Sequence, residues 1–302
     1  MALAVYTTVY PGVEAYLVDW YRSLQQQTDQ DFQLWIGLDT LGRESVQNML
    51  GSDLNTNWVV VPSGATPAQI RQQALARIVE TCSEVVLVDS DDLLRSSRVA
   101  AARADLRDGE LAGCALRLID EQGKDLGLTF GLPPQLGPEE VFPRNNVFGF
   151  SNSAFRSHLL RRCLPIPASA VLVDWFLATQ AWLLGAKMVF DCVPRMDYRQ
   201  HPVNTARVRF PISPDQVISD TALVRQHFQL LLAQPKRDLV ADRVAALENV
   251  AAEIEEFHQR VALQPAQLVG YVLALNALSP APLWWSCVAY PALGYMWTSR
   301  KI

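Results

Sequence analysis

Three carboxylates follow the most apolar short segment of the sequence. The run Val85-Val86-Leu87-Val88 leads directly into Asp89-Ser90-Asp91-Asp92. Two aspartates one residue apart at the end of a buried strand supply the oxygen ligands that Mg²⁺ and Mn²⁺ prefer, and such ions keep coordination positions free for the phosphate oxygens of a nucleotide. The structural alternative is a helix cap, because Asp91 or Asp92 would suit the N-terminus of a helix beginning at Leu93.

A further carboxylate stands at the start of an apolar helix. The spacing predicts a helix from Asp174 to about Leu184. A carboxylate in that place is stabilised by the helix dipole and by the free backbone N–H groups of the first turn. Asp174 is therefore either a plain helix cap or a general base that removes a proton from a reacting hydroxyl.

Cationic and imidazole side chains offer partners for phosphate and metal. Arg199 and His201 follow a predicted strand from near Lys187 to Val193, and Arg71 lies on a predicted helix. A guanidinium group can bind phosphate through two parallel hydrogen bonds, and a neutral imidazole can ligate a metal. For Arg71 and for His201 the alternative is an ordinary surface position. The other histidines lie in charged, helical surroundings and are expected at the surface: His158, His227 and His258.

Alternating strands and helices would bring these residues to one edge of a sheet. Over the first ninety residues the pattern predicts strand 2–10, helix 13–27, strand 32–38, strand 58–61, helix 67–82 and strand 85–88. This is the alternation of an α/β fold with a doubly wound, mostly parallel sheet, whose ligands sit beyond the carboxyl ends of the strands. Asp39 and Asp89 both lie at such ends.

The same segments resemble the family 2 glycosyltransferases, whose catalytic domain has the nucleotide-sugar-binding fold called GT-A. The matching motifs occur in the order of the family over about residues 1 to 210. They are Ser23-Leu24-Gln25-Gln26-Gln27-Thr28 with Asp31-Phe32, Ile36-Gly37-Leu38-Asp39, Val85 to Leu93, Asp174-Trp175, and Tyr198-Arg199-Gln200-His201 with Asn204. The resemblance implies an inverting, metal-dependent transfer of a hexosyl or deoxyhexosyl group from a nucleotide diphosphate donor. The acceptor would be a hydroxyl of a glycan or lipid-linked molecule, as in the synthesis of cell-surface polysaccharides.

The resemblance also implies roles on the donor side of the reaction. Asp39 would contact the base of the nucleotide, and Asp89 the ribose or the metal. Asp91 would bind the Mg²⁺ or Mn²⁺ ion that bridges the diphosphate, with His201 as a further metal ligand. The family often has two acids at the end of the second strand, followed by Gly or Ser, whereas this chain has Leu38-Asp39 followed by Thr40-Leu41. The identity of the nucleotide is therefore left open.

The remaining roles concern the diphosphate and the acceptor. Arg71 matches an arginine that approaches the nucleotide, and Arg199 lies where the family has a residue near the diphosphate. Asp174 matches the catalytic base, which deprotonates the acceptor hydroxyl as it attacks the anomeric carbon. The acidic residue that often precedes this base is Val173 here, so Asp174 would act alone.

Two other classes of function fit parts of the same pattern. A hydrophobic strand followed by D-x-D resembles the haloacid-dehalogenase type of phosphatase, in which Asp89 would be the nucleophile and Asp91 the acid or base. In those enzymes a small residue and Thr or Val follow, whereas Asp92-Leu93 follow here. The third hypothesis is a non-catalytic scaffold with a GT-A-like fold. A panel of nucleotide sugars and a phosphatase substrate separate the three.

Composition excludes several classes. Of 302 residues half are apolar, which is typical of a globular chain, and 26 basic against 31 acidic residues give a net charge of −5. That charge provides no cationic surface for nucleic acid. Five widely spaced cysteines without a C-x-x-C pair fit a reducing cytoplasm, and no basic segment of a secretory signal precedes the first apolar run.

The C-terminal third differs from the rest. We predict a domain over 1–210 and a helical region over 211–302, with helices between 214 and 260. The 39 residues from Val261 to Ser299 contain no Asp, Glu, Lys, Arg or His. Prolines at 280, 282 and 291 interrupt the segment and disfavour a transmembrane helix. The aromatic residues of this segment and the basic pair after it would suit a membrane surface, and they predict a cytoplasmic enzyme held at the inner face of a membrane. These residues are Trp284, Trp285, Tyr290, Tyr295, Trp297, Arg300 and Lys301. The alternative is a segment packed on the protein or buried in a homodimer.

Overall fold

The computed structural model describes residues 2–51, 54–133, 135–201, 204, 211–235, 237–279 and 283–298. Pro280, Pro282, Arg300 and Lys301, which entered the C-terminal prediction, lie outside these residues. The chain forms two compact units. The first contains residues 1–140 and 148–204, and the second contains 141–147 and 205–302.

The first unit is built on a sheet of nine described strands. Their order is β3-β2-β1-β4-β8-β6-β9-β5, and β7 pairs with β6. The bounds are β1 Leu3–Val9, β2 Phe32–Leu38, β3 Thr56–Val60, β4 Glu84–Leu87, β5 Leu93–Leu94, β6 Leu111–Ile119, β7 Asp125–Phe130, β8 Ser153–Arg156 and β9 Met188–Arg199. Strands β3, β2, β1 and β4 are mutually parallel, as is the pair β6 and β9, whereas β8, β7 and β5 pair with their neighbours in antiparallel fashion.

Helices alternate with these strands, so the α/β fold predicted from the sequence is confirmed. Their bounds are α1 Glu14–Gln25, α2 Arg43–Leu50, α3 Pro67–Thr81, α4 Arg98–Asp108, α5 Pro138–Val141, α6 Ser157–Cys163 and α7 Val173–Leu183. Every residue of β1 and of β4 is buried. Continuous burial is typical of parallel strands covered on both faces.

Three details differ from the sequence prediction. No helix begins at Leu93, because Leu93 and Leu94 form β5 and pair with β9, and the next helix begins at Arg98. The last strand does not end near Val193 but continues to Arg199, because its pairing with β6 extends to Ile119 opposite Arg199. Helices α2 and α6 and strand β8 were not predicted, since each has fewer than nine residues.

The second unit is helical, with α8 Pro214–Leu232, α9 Ala241–Phe257 and α10 Pro265–Leu278. A π-helical turn, His258–Ala262, joins α9 to α10, and a 3₁₀ turn spans Pro291–Met296. Phe257, Tyr271 and Trp297 form an edge-to-face cluster with ring centroids 4.9 to 6.0 Å apart. This is a favourable geometry for aromatic rings in a core.

The uncharged C-terminal segment contributes to this core. Trp284, Trp285 and Trp297 are 6%, 8% and 1% exposed, so these three are packed inside the protein and not displayed as a membrane-facing belt. Tyr295 is exposed, and so are the apolar side chains of Val269 and Leu273 on α10. The membrane attachment itself stays a prediction.

Among the described residues, no single helix has both the length and the apolar composition needed to cross a membrane. The segments Ala241–Ala262 and Pro265–Leu278 meet the two criteria only when they are taken together, and they are bent by 110° at the break between them.

The predicted surface position of His227 is also wrong. It was expected at the surface, but it lies on α8 with 3% of its surface exposed, and this burial lowers its pKa to about 3. Desolvation disfavours the imidazolium form, so the native protein holds His227 neutral.

We therefore predict a pH-dependent loss of stability that belongs to His227. Because the native pKa is depressed, the unfolded state binds a proton that the native state does not, and stability present above about pH 6.5 is lost as the pH falls toward 3. In urea unfolding, the wild type should lose about 1 to 2 kcal/mol more than His227→Gln between pH 6.5 and pH 5. Equal losses in the two proteins would contradict the assignment.

Candidate active site

The predicted site residues lie where parallel strands end. Asp39 follows β2, and its backbone N–H donates to the carbonyl of Val9 at the end of β1 at 2.9 Å. The segment Asp89–Asp92, here called the acidic loop, follows β4 at the same edge of the sheet. The Asp39 side chain is half-buried and makes no hydrogen bond or ion pair with any described residue.

Asp91 lies between an aromatic hydroxyl and an imidazole. Its carboxylate Oδ2 accepts a hydrogen bond from the Tyr10 hydroxyl at 3.0 Å and lies 2.7 Å from Nε2 of His201. Asp91 is 6% exposed, and the His201 ring stacks on Tyr16 with centroids 5.6 Å apart. The structure thus brings together two of the residues predicted to bind a metal.

Asp89 pairs with the predicted nucleotide ligand Arg71. Nη2 of Arg71 lies 2.9 Å from Oδ1 of Asp89, and the guanidinium stands 3.9 Å from the ring centroid of Phe150. Arg71 is placed by α3, which begins at Pro67 with a capping box between Thr66 and Gln69. Nε of Arg71 is buried and has no hydrogen-bond partner among the described residues.

Asp92, for which the sequence predicts no catalytic or binding role, is fully buried. It accepts a hydrogen bond from the hydroxyl of Ser151 and another from the backbone N–H of Arg199 at 2.7 Å. Its signal in the sequence was a third carboxylate directly after a buried strand, which we interpreted only as a helix cap. Because no helix begins at Leu93, that capping interpretation is wrong.

The side chain of Arg199 binds backbone carbonyl groups. It is 2% exposed, and its Nε and Nη1 donate to the carbonyls of Asp91 and Glu121, both at 2.8 Å. Its guanidinium also lies 4.6 Å from the ring centroid of Tyr16. Arg199 therefore joins the end of β9 to the acidic loop and to the turn after β6. Because these two nitrogens already donate to backbone carbonyls, they are not free to bind a diphosphate. Binding near the diphosphate is the role that the resemblance implies for Arg199.

Asp174 stands in the first turn of α7 and is partly buried. Burial raises the pKa of Asp174, and the charge of Arg71 opposes that shift. Helix α3 also holds the segment that leads to Asp174. The Gln72 side chain accepts from the N–H of Ile166 at 2.7 Å, and the Thr66 hydroxyl donates to the carbonyl of Ala168 at 2.9 Å. One helix thus positions both Arg71 and the approach to the predicted base.

Negative charge is crowded in this region. Burial, reinforced by the charges of Asp91 and Asp174, raises the pKa of Asp89 to about 7, although Arg71 opposes the shift. Burial and the charges of Asp91 and Asp89 raise the pKa of Asp92 well above its ordinary value. A divalent cation would relieve this repulsion, and the oxygen and imidazole donors of Asp91 and His201 suit Mg²⁺ or Mn²⁺.

The described residues contain no group of three or more His, Cys, Asp or Glu side chains arranged to hold a metal ion. Ions that act on nucleotides are usually held by one or two carboxylates, with water and phosphate oxygens completing the coordination. Asp91 and His201 therefore fit such an ion in part, and the remaining ligands would come from the donor. Asp89, the third predicted metal ligand, has its Oδ1 paired with Arg71 in this structure.

No protein-family model matches this sequence, and no curated protein sequence matches it. Solved structures do match. S. aureus TarS is 16% identical with a TM-score of 0.55, and the match covers 85% of this chain but only 43% of the TarS chain. A shorter TarS structure, in complex with UDP-GlcNAc, is 17% identical with a TM-score of 0.57 over 85% of this chain and 72% of that one.

A third match is the mannosyltransferase PcManGT from Pyrobaculum calidifontis, in complex with GDP-Man and Mn²⁺. It is 14% identical with a TM-score of 0.53, and the match covers 92% of this chain and 75% of that one. At these identities the comparison shows the fold alone. The fold is that of glycosyltransferase structures, as the sequence predicted, and membership of family 2 stays a prediction.

Proposed function

We propose that this protein is a glycosyltransferase that moves a sugar from a nucleotide diphosphate donor to a hydroxyl acceptor. The observation that carries the proposal is the cluster of Asp89, Asp91 and His201 beside Arg71 at the end of β4, with Asp174 on the neighbouring α7. The similarity in fold to structures in complex with UDP-GlcNAc and GDP-Man supports it. We also propose, on the sequence motifs, that the chain is a family 2 member and inverts the anomeric carbon.

On the donor side, residues at the strand ends bind the nucleotide. Asp39 contacts the base, and its side chain is free for that contact. Asp91 and His201 would hold a Mg²⁺ or Mn²⁺ ion, and such an ion would offset negative charge on the departing diphosphate. Arg71 lies beside Asp89, and its guanidinium makes no hydrogen bond to any other described residue, so it can add a charge-assisted hydrogen bond to a phosphate oxygen.

On the acceptor side, Asp174 acts as the general base. The acceptor hydroxyl oxygen forms a bond to the anomeric carbon while the bond from that carbon to the diphosphate oxygen breaks. The proton of the hydroxyl passes to the Asp174 carboxylate, and the electron pair of the broken bond leaves with the diphosphate. The raised pKa of Asp174 suits this role, because a base whose pKa lies nearer to the working pH holds the transferred proton better.

The first prediction from this proposal concerns donor binding. Asp91→Asn keeps the size of the side chain and removes its charge, so it should abolish the Mn²⁺-dependent binding of UDP or GDP measured by calorimetry, with little change in the melting temperature. Asp31→Asn is the control, because the Asp31 side chain is 97% exposed. Unchanged affinity in Asp91→Asn would exclude the assignment.

The same preparation separates the other two hypotheses. Hydrolysis of p-nitrophenyl phosphate that depends on Asp89, without binding of nucleotides, would favour the phosphatase. Neither phosphatase activity nor nucleotide binding would favour a scaffold.

The second prediction concerns turnover. Asp174→Asn should keep the donor affinity and reduce the transfer rate by about 10² to 10⁴, which is the contribution of a well-placed acid or base. Asp242→Asn, which changes an exposed carboxylate in the first turn of α9, is the matched control for the helix-dipole effect. Transfer at the wild-type rate, or a product with retained anomeric configuration, would contradict the proposed mechanism.

We further propose, from the uncharged C-terminal segment, that the enzyme works in the cytoplasm against the inner face of a membrane, where a lipid-linked acceptor would be accessible. The side chains available for this contact include Val269 and Leu273 on α10, at 51% and 67% exposure, and Tyr295 at 62%. The absence of charge from Val261 to Thr298 suits a lipid surface, because any charge brought into the interface would add a desolvation cost.

Flotation with anionic liposomes tests this contact on the full chain. Wild-type protein should float, Leu273→Asp should float much less, and Ile218→Asp, an exposed apolar residue of α8, should behave as wild type. A wild-type protein that does not float, but forms a dimer lost in Leu273→Asp, would establish a homodimer surface instead.

A further inference from the structure

Ser151 is a buried hydroxyl that contacts both ends of the acidic loop. It belongs to the 3₁₀ turn Phe150–Asn152 and is 2% exposed. Its Oγ accepts a hydrogen bond from the backbone N–H of Asp89 at 3.0 Å and donates to Oδ2 of Asp92. One side chain therefore spans the four-residue loop from its first residue to its last.

Both carboxylate oxygens of Asp92 are engaged within the protein. Its Oδ1 accepts from the backbone N–H of Arg199, and Oδ2 accepts from Ser151. The side chain is fully buried. Asp92 therefore fixes the end of the acidic loop between the 3₁₀ turn and β9 and does not itself face the donor.

The direction of the Asp91 side chain follows from these anchors. Asp91 precedes Asp92, its carbonyl is held by Arg199 at 2.8 Å, and its carboxylate meets Tyr10 and His201. Because the main chain is fixed on both sides of Asp91, its carboxylate has few orientations left. Loss of the Ser151 hydroxyl would release the loop on one side and remove the hydrogen-bond partner of the Asp89 N–H and of Oδ2 of Asp92.

We propose that Ser151 is a positioning residue that orients Asp91 toward the metal of the donor and holds the backbone of Asp89, which pairs with Arg71. This inference rests on the proposed function. Ser151 touches neither the donor nor the acceptor; it acts through the shape of the acidic loop. Outer residues that orient metal ligands typically change metal affinity or activity by about 10- to 100-fold when they are mutated.

The experiment compares Ser151→Ala with Ser153→Ala by calorimetry, using UDP and GDP with and without Mn²⁺. Ser153 is the matched control, because its buried hydroxyl donates to the carbonyl of Gly149 at 2.5 Å and does not contact the acidic loop. In Ser151→Ala, Mn²⁺-dependent binding should weaken by about 10- to 100-fold. Nucleotide binding without Mn²⁺ and the melting temperature should change no more than in Ser153→Ala.

The conservative variant Ser151→Thr keeps the hydroxyl and should recover most of the Mn²⁺-dependent affinity. If Ser151→Ala does not fold, Ser151→Cys replaces it, because the thiol keeps the volume and is a weak donor. Equal Mn²⁺-dependent affinities in the folded Ser151 and Ser153 variants would overturn the inference while leaving the proposed function intact. A wild-type protein that binds neither nucleotide with Mn²⁺ would overturn the proposed function and this inference with it.

Discussion

The arrangement of the first unit depends on one electrostatic constraint, which is that three carboxylates are placed within four residues at the end of a buried strand. An unpaired buried charge costs several kcal/mol, so each of these groups needs a partner that the acidic loop itself cannot supply. The partners come from α3, from the 3₁₀ turn before β8 and from the end of β9. Those elements are distant in sequence, and the need to compensate Asp89, Asp91 and Asp92 brings them together.

The end of β9 supplies several of the contacts to the acidic loop. The backbone and side chain of Arg199 bind Asp92 and Asp91, and His201 adds an imidazole to the Asp91 carboxylate. The register of β9 against β6 continues to its last residue, so the position of Arg199 is set by strand pairing and not by a loose loop. Asn204 stabilises the chain that follows β9, because its amide donates to the Arg199 carbonyl at 2.8 Å and its Oδ1 accepts from the N–H of His201 at 2.8 Å.

Sequence patterns predicted the elements with strong periodicity and the residues at their ends. The β2 bounds, 32–38, and the start of α3 at Pro67 follow from an apolar run and from a proline in the first helical turn, both of which are local signals. The path of β9 beyond Val193, the strand at Leu93 and the burial of Asp92 and His227 depend on contacts with residues far away in the sequence. Nothing in a local window distinguishes an aspartate that caps a helix from one that accepts hydrogen bonds from Ser151 and Arg199.

The three carboxylates of the acidic loop therefore have different roles, although they are of one type and almost adjacent. Asp92 uses both oxygens within the protein, and Asp89 is paired with a cation that is itself close to Asp174. Asp91 has one oxygen, Oδ2, engaged by Tyr10 and His201, and its Oδ1 makes no hydrogen bond with any described residue. Asp91 is therefore the carboxylate of the acidic loop that is best placed to bind a metal ion. The contacts of Asp89 and Asp92 keep Asp91 in this position. A diphosphate that reaches Arg71 would compete with Asp89 for the same guanidinium, so donor binding and the charge of Asp89 are coupled through that one side chain.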